Sequence, residues 1–157
     1  MIYTKSMGFL SNKLSHKPLK VFVFLLSFFA FGLFVTGHQS NVFAYYTNMP
    51  ASIVIGQPDF TSSSANQGGS VGANTINSVD DVAVCNGKLI VSELLNNRVL
   101  IFNSIPTTNN ASADVVIGQV NFSSGSANQG GARGPNTLSG PRGVICVGDK
   151  LLIGDSG

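Results

Sequence analysis

The chain has two histidines, His16 and His38, and both lie ahead of Ala44. From Tyr45 onward no imidazole is available, which removes a Ser-His-Asp triad, a histidine zinc site and the commonest general base. The acidic groups that remain do not compensate. Asp80-Asp81 and Asp155 lack the alternating oxygen ligands of a calcium loop and read as solvated turn carboxylates. Arg133 and Arg142 are too few for a phosphate-binding face, and the chain beyond Ala44 carries a net charge of about −2, the wrong sign for nucleic acid. Asn110-Ala111-Ser112 and Asn121-Phe122-Ser123 fit the glycosylation sequon, a pattern that is frequent by chance. These residues point to no catalytic centre, no metal site and no cofactor.

The elements that hold them repeat. "VIGQPDFTSSSANQGGSVGANT" (54–75) superposes without a gap on "VIGQVNFSSGSANQGGARGPNT" (116–137), an offset of 62 positions. Continuing the register brings "DVAVCNGKLIVSE" (81–93) onto "GVICVGDKLLIGD" (143–155). Roughly 18 of 43 aligned positions are identical, which marks an internal duplication with units at 53–114 and 115–157. The apolar runs in each unit are short, rich in Val and Ile, and bounded by Gly, Asn, Asp or Pro, so they read as strands and not helices. Asn86-Gly87 and Gly148-Asp149 supply the positive φ angles of tight hairpins, which pairs the first two strands of each unit. Residues such as Val99, Leu100, Ile101 and Phe102 are apolar at both parities, so both faces of the sheet are expected to be covered. Short antiparallel strands with two buried faces and a unit of a few tens of residues describe propeller blades.

"SVDDVAVCNGKLIVSELLNNRVLIF" (78–102) resembles the NHL repeat of six-bladed β-propellers. The second copy, "LSGPRGVICVGDKLLIGDSG" (138–157), has the Pro141-Arg142-Gly143 start of that pattern, where the first has Val79 and Asp81. The first has the Asn96-Asn97-Arg98 turn, and Glu93 where the family has Asp. The resemblance implies an all-β, NHL-type partial propeller at 45–157, about one and a half blades plus an isolated outer strand at Ser52–Gly56 whose partner strands are absent. It also implies a structural tie in which Glu93 and Arg98, flanking the turn that holds Asn97, bind two strands together. A closed propeller needs more blades than this, so the frame is expected to continue with something close to "NNRVLIF". Some NHL-type propellers are lyases with a histidine-held metal at the axis, ligands that this sequence lacks beyond Ala44.

The motif "SANQGG" occurs at 64–69 and 126–131, within links of about 25 residues between an outer strand and the next inner strand. Two readings of its fidelity stand side by side. Asn and Gly take left-handed backbone conformations cheaply, so a crossing that needs them keeps them. Alternatively Asn66, Gln67, Asn128 and Gln129 form a polar ligand surface repeated at one end of the propeller. Cys85 and Cys146 align one residue apart in equivalent strands and so point to opposite faces of their sheets. Packed sheets sit about 10 Å apart and disulfide Cα atoms need roughly 4.4–6.8 Å, so buried free thiols are expected.

Ahead of the repeats, Lys5, Lys13, Lys17 and Lys20 precede an apolar run at 21–35. About 15 apolar residues suit a signal-peptide core better than a membrane span of roughly 20. Val42-Phe43-Ala44 offers a cleavage site, placing a signal peptide or signal-anchor helix at 1–44 and a mature start at Tyr45. In either form residues 45–157 lie outside the cytoplasmic membrane, secreted or anchored, with membrane contact only through 21–35. The reading that follows is an exported, non-catalytic binding or scaffold module for a protein or glycan, with no nucleic-acid partner. The alternatives are a metal-dependent propeller enzyme whose catalytic residues lie in further blades, or a non-functional fragment.

Overall fold

Branched Val and Ile side chains pack well on a pleated surface, and the Asn, Gly and Pro residues that separate their runs turn the chain back on itself. The computed structural model describes residues 2–4 and 45–157, and among these described residues the architecture is all-β. Its strands are β1 (Ile2–Thr4), β2 (Ile53–Ile55), β3 (Val79–Cys85), β4 (Lys88–Glu93), β5 (Arg98–Phe102), β6 (Val115–Ile117), β7 (Pro141–Val147) and β8 (Lys150–Asp155). They form three antiparallel sheets, ordered β1-β2, β3-β4-β5-β6 and β7-β8. Every described strand belongs to one unit made of Met1–Ser6 and Pro50–Gly157. A separate unit spans Met7–Met49, and its described part, 45–49, is a turn in which the Met49 N–H donates to the Tyr46 carbonyl at 3.2 Å.

The leader expected at 1–44, its apolar run included, lies outside the described residues except for Ile2–Thr4. Among the described residues no helix is long and apolar enough to cross a membrane. Two features differ from the sequence reading. The strand at Ile53–Ile55 is not isolated, because Ile2, Tyr3 and Thr4 pair with Ile55, Val54 and Ile53. The crossings also contain short 3-10 turns at Ala65–Gly68 and Ala127–Gly130, which the left-handed residues inside them keep from growing into helices.

The hairpins follow from their turn residues. Asn86 and Gly87 have φ of 50° and 78°, and Gly148 has φ of 60°, so each two-residue link matches the right-handed twist of its strands. Both hairpins also carry a register irregularity near their start, between Val79 and Asp81 and between Pro141 and Val144. These are equivalent positions in the two units.

The core lies on both faces of the four-stranded sheet. One face packs Leu89, Val91, Leu100 and Phe102 against Ile55, Ile76 and Ala113. The other packs Cys85, Ile90 and Val99 against Val144, with Cys146, Leu151 and Ile153 at its margin. This second cluster joins the β3–β6 sheet to the β7–β8 sheet, and polar contacts lock β7 to β3 and β4. The Val144 N–H donates to Asp81 Oδ2 (2.9 Å), and Ser92 Oγ donates to the Arg142 carbonyl (2.8 Å).

Here the expectation of free thiols fails. Cys85 and Cys146 form a disulfide with Cα atoms 6.1 Å apart. The facing sides were read correctly, but the general sheet spacing does not apply at the first strands. A side chain of β3 reaches the backbone of β7, so the sheets come closer there than a stack filled by large side chains does.

Candidate functional site: the repeated crossings and the strand tie

After β2 and again after β6 the chain crosses to the first strand of the following sheet, and the two crossings are built alike. Each begins at a glycine in the left-handed region, Gly56 (φ 82°) and Gly118 (φ 91°). A Cβ at either would meet the side chain of Ile76 or Leu138 at 2.6 Å, so only glycine admits this turn over the core. Next comes an Asx turn. Asp59 Oδ1 accepts from the N–H and hydroxyl groups of both Thr61 and Ser62, at 2.8–2.9 Å. Its counterpart Asn121 Oδ1 accepts from the Ser123 N–H and the Ser124 hydroxyl. The Thr61 hydroxyl, followed by that of Ser62 and the two N–H groups, lowers the Asp59 pKa to about 2.

The "SANQGG" segments hold consecutive left-handed residues, Asn66 (49°) and Gln67 (56°), then Asn128 (50°) and Gln129 (57°). Gln is an unusual occupant of that region, and its side chain explains its presence. Gln67 Nε2 donates to the Asn74 carbonyl (2.8 Å) and to Asn110 Oδ1 (2.6 Å). Gln129 Nε2 repeats the first contact on the Asn136 carbonyl (2.8 Å). The backbone repeats too, since the N–H groups of Asn66 and Asn128 donate to the carbonyls of Ile76 and Leu138. Thr75 and Thr137 hydroxyls accept from the N–H groups of Gly72 and Gly134. The four residues suggested for a ligand surface are half-buried and hydrogen-bonded within the protein.

Two residues that the sequence reading passed over anchor these loops. Gln57 (2% exposed) and Gln119 (7% exposed) are buried. Gln57 Nε2 donates to the Ser64 carbonyl (2.7 Å), and Gln119 Nε2 to the Ser126 and Asn97 carbonyls (2.9 and 2.7 Å). Their Oε1 atoms have no hydrogen-bond partner within the described protein. Identity at the 62-residue offset was the signal that could have found them, as also Thr75 and Thr137.

Glu93 and Arg98 face each other across β4 and β5 and form an ion pair with both side chains fully buried. Every arm of the guanidinium is used. Nε donates to Glu93, Nη1 to the Phe122 carbonyl (2.6 Å), and Nη2 to the Gly72 and Thr75 carbonyls (both 2.9 Å). Arg98 therefore ties the crossing before its sheet to the crossing after it. Glu93 Oε1 accepts from the Asn77 N–H and Asn96 Nδ2 (both 2.9 Å), and Asn96 exchanges amide hydrogen bonds with Asn66. Burial pushes the Glu93 carboxyl up, against the pull of Arg98 and these donors. Asp155 does the same backbone work in the second unit, accepting from the Ser139 N–H at 2.8 Å. Asn97, left-handed at φ 51°, accepts from the Gly140 N–H and donates to the Gly125 carbonyl (both 2.9 Å), so it links one unit to the next.

A cavity of about 280 Å³ opens on the first crossing, lined by Gln57, Pro58, Thr61, Ser62, Ser63, Ser64 and Gln67. Hydroxyl and amide groups dominate this lining, and no side chain in it is ionisable. Among the described residues no three His, Cys, Asp or Glu side chains gather as metal ligands would. No family model, no curated protein and no solved structure matches this chain.

Proposed function

We propose that the chain is an exported, non-catalytic binding module built from NHL-type β-propeller blades, which takes a hydroxyl- or amide-bearing ligand, a glycan or polypeptide, at its crossing loops. The observation that carries this reading is the cavity on the first crossing. Its lining offers donors and acceptors for neutral polar groups and no acid, base or nucleophile pair for turnover. The loops around it are held by buried Gln57 and by the Gln67 amide, a rigid support of the kind that lowers the entropic cost of binding. Four sequential antiparallel strands, followed by a second sheet packed through its first strand, support the propeller reading. The disulfide between Cys85 and Cys146 supports export, since such bonds persist in oxidising compartments.

The test is a glycan array probed with the full chain and with Ser63→Tyr, which fills the cavity without touching the Gln57 or Gln67 hydrogen bonds. Retained glycans whose signal falls at least tenfold in the variant are expected. Equal binding by both proteins would move the site elsewhere, and conversion of a bound glycan to product would replace the binding reading with an enzymatic one.

A further inference from the structure

The two crossings share an Asx turn whose leading residue differs in chemistry. Asp59-Phe60-Thr61 stands where the second crossing has Asn121-Phe122-Ser123, at the 62-residue offset. In both, the Oδ1 of the leading residue accepts from the backbone N–H two positions on, at 2.8 Å from Thr61 and 2.9 Å from Ser123. Asp59 offers a carboxylate at this corner. Asn121 offers an amide nitrogen, and with Ser123 two residues on it forms an acceptor sequon for asparagine-linked glycosylation.

The folded turn presents that sequon. Asn121 and Ser123 are both exposed, and the exposure belongs to the turn itself. Asp59 stays exposed with the β3–β6 sheet following its crossing, and Asn121 with the same sheet preceding its own. Asn121 Oδ1 is occupied by the Ser123 N–H and by the Ser124 hydroxyl at 3.0 Å. Asn121 Nδ2 and the Ser123 hydroxyl, the two groups that define the sequon, make no hydrogen bond among the described residues. Phe122 between them is anchored, its ring packed against the core and its carbonyl accepting from Arg98 Nη1 at 2.6 Å. The other sequon, Asn110-Ala111-Ser112, is held differently. Asn110 is half-buried, its Oδ1 accepts from Gln67 Nε2 at 2.6 Å, and its N–H donates to the Val54 carbonyl at 2.9 Å. A sugar there would be crowded by β2 and the first crossing.

We propose that Asn121 is a glycosylation site, which takes an oligosaccharide from a polyprenyl-diphosphate carrier through a membrane-bound transferase. Asn121 Nδ2 forms a bond to the anomeric carbon of the sugar as the bond from that carbon to the carrier's phosphate oxygen breaks. The diphosphate leaves with the electron pair, and one Nδ2 proton is released with it. The Oδ1 hydrogen bonds of the turn need not change, so the fold keeps its geometry while a bulky polar group is added at the surface. This modification goes beyond the binding reading and shares only its export.

The experiment is mass spectrometry of the chain as its cells produce it, cut after Arg and before Asp so that the two sequons separate into Val99–Ala113 and Asp114–Arg133. Asp114–Arg133 is expected to carry a sugar mass on Asn121, and Val99–Ala113 none. Ser123→Ala removes the hydroxyl and keeps the N–H that serves Asn121, so it should abolish the modification, as Asn121→Gln should. Ser123→Thr restores a hydroxyl and should retain it. A glycan that survives Asn121→Gln would sit on a hydroxyl and overturn the proposal, as would a sugar on Asn110 with Asn121 unmodified. Unmodified Asn121 in chains whose Cys85–Cys146 disulfide has formed would overturn it and leave export standing. Unmodified Asn121 beside free thiols would overturn both.

Discussion

Replacing Arg98 with methionine removes a buried cation and leaves its partners in place, which makes it the most informative single change in this protein. Glu93 would keep the Asn77 and Asn96 donors but lose its counter-charge, and the carbonyls of Phe122 and Thr75 would lose the Arg98 donors, while that of Gly72 keeps the Thr75 N–H and hydroxyl. Breaking one side of a buried ion pair costs about 3–5 kcal/mol, and each carbonyl left without a donor adds roughly 1–3 kcal/mol unless water reaches it. A loss of about 4 kcal/mol or more is expected, a large share of the roughly 5–15 kcal/mol that holds a typical domain. The loss should also depend on pH. Burial raises the Glu93 carboxyl above its ordinary value of 4.5, so the folded state binds that proton more tightly than the unfolded state. Stability from this group is therefore greatest below 4.5 and declines as pH rises through the folded value. Without Arg98 the carboxyl rises further, so Arg98→Met should cost less at pH 4.5 than at pH 7. The assay is urea unfolding of the full chain followed by far-ultraviolet circular dichroism at both pH values, with Glu93→Leu and the double variant completing a cycle. The double variant should cost less than the sum of the singles by about 3 kcal/mol. A cost below about 1 kcal/mol for Arg98→Met, or strict additivity, would refute the reasoning that the pair is a mutually dependent tie.

Two further outcomes follow from the crossings and the sheet contact. The disulfide closes a separation of 61 residues, for which loop-closure entropy gives about 4 kcal/mol; urea unfolding with and without reductant should show a loss of that order, and coincident curves would contradict it. The Asp59 turn is exposed, and its lowered pKa means that its contribution is present above the ordinary value of 3.8 and lost as pH falls through about 2. Amide exchange at Thr61 and Ser62 should accelerate over that window, whereas the Ser123 amide on neutral Asn121 should not follow it.

How much could be read in advance varied with how local the cause was. The strands and hairpins were legible because Val- and Ile-rich runs and the Asn86-Gly87 turn carry their own conformational preference. The faithful "SANQGG" loops were legible as left-handed crossings, although Gln67 and Gln129 in that region were not, since their hold depends on carbonyls seven residues away. The roles of Gln57 and Gln119 were hidden because Gln is ordinarily a surface residue and its burial is decided by the loop it supports. Arg98 was visible as a partner of Glu93, but its contacts with two crossings depend on the three-dimensional return of the chain. The disulfide was missed because an average sheet spacing was applied where first strands converge. The pairing of β1 with β2 joins residues about 50 positions apart and bears on the leader, since cleavage after Ala44 would remove β1.

Trypsin cuts after Lys20, Lys88, Arg142 and Lys150, with no Lys or Arg between Val21 and Lys88. Mass analysis of the chain as its cells produce it, digested without reduction, therefore tests the stacking of successive units and the leader together. The stacked arrangement predicts Gly143–Lys150, which carries Cys146, linked through Cys85 to a peptide that ends at Lys88 and begins near Tyr45. A linked peptide beginning at Val21 would keep the stacking and replace cleavage with anchoring. Free, alkylatable thiols on both Cys85 and Cys146 would contradict the juxtaposition of β3 and β7 on which the arrangement depends.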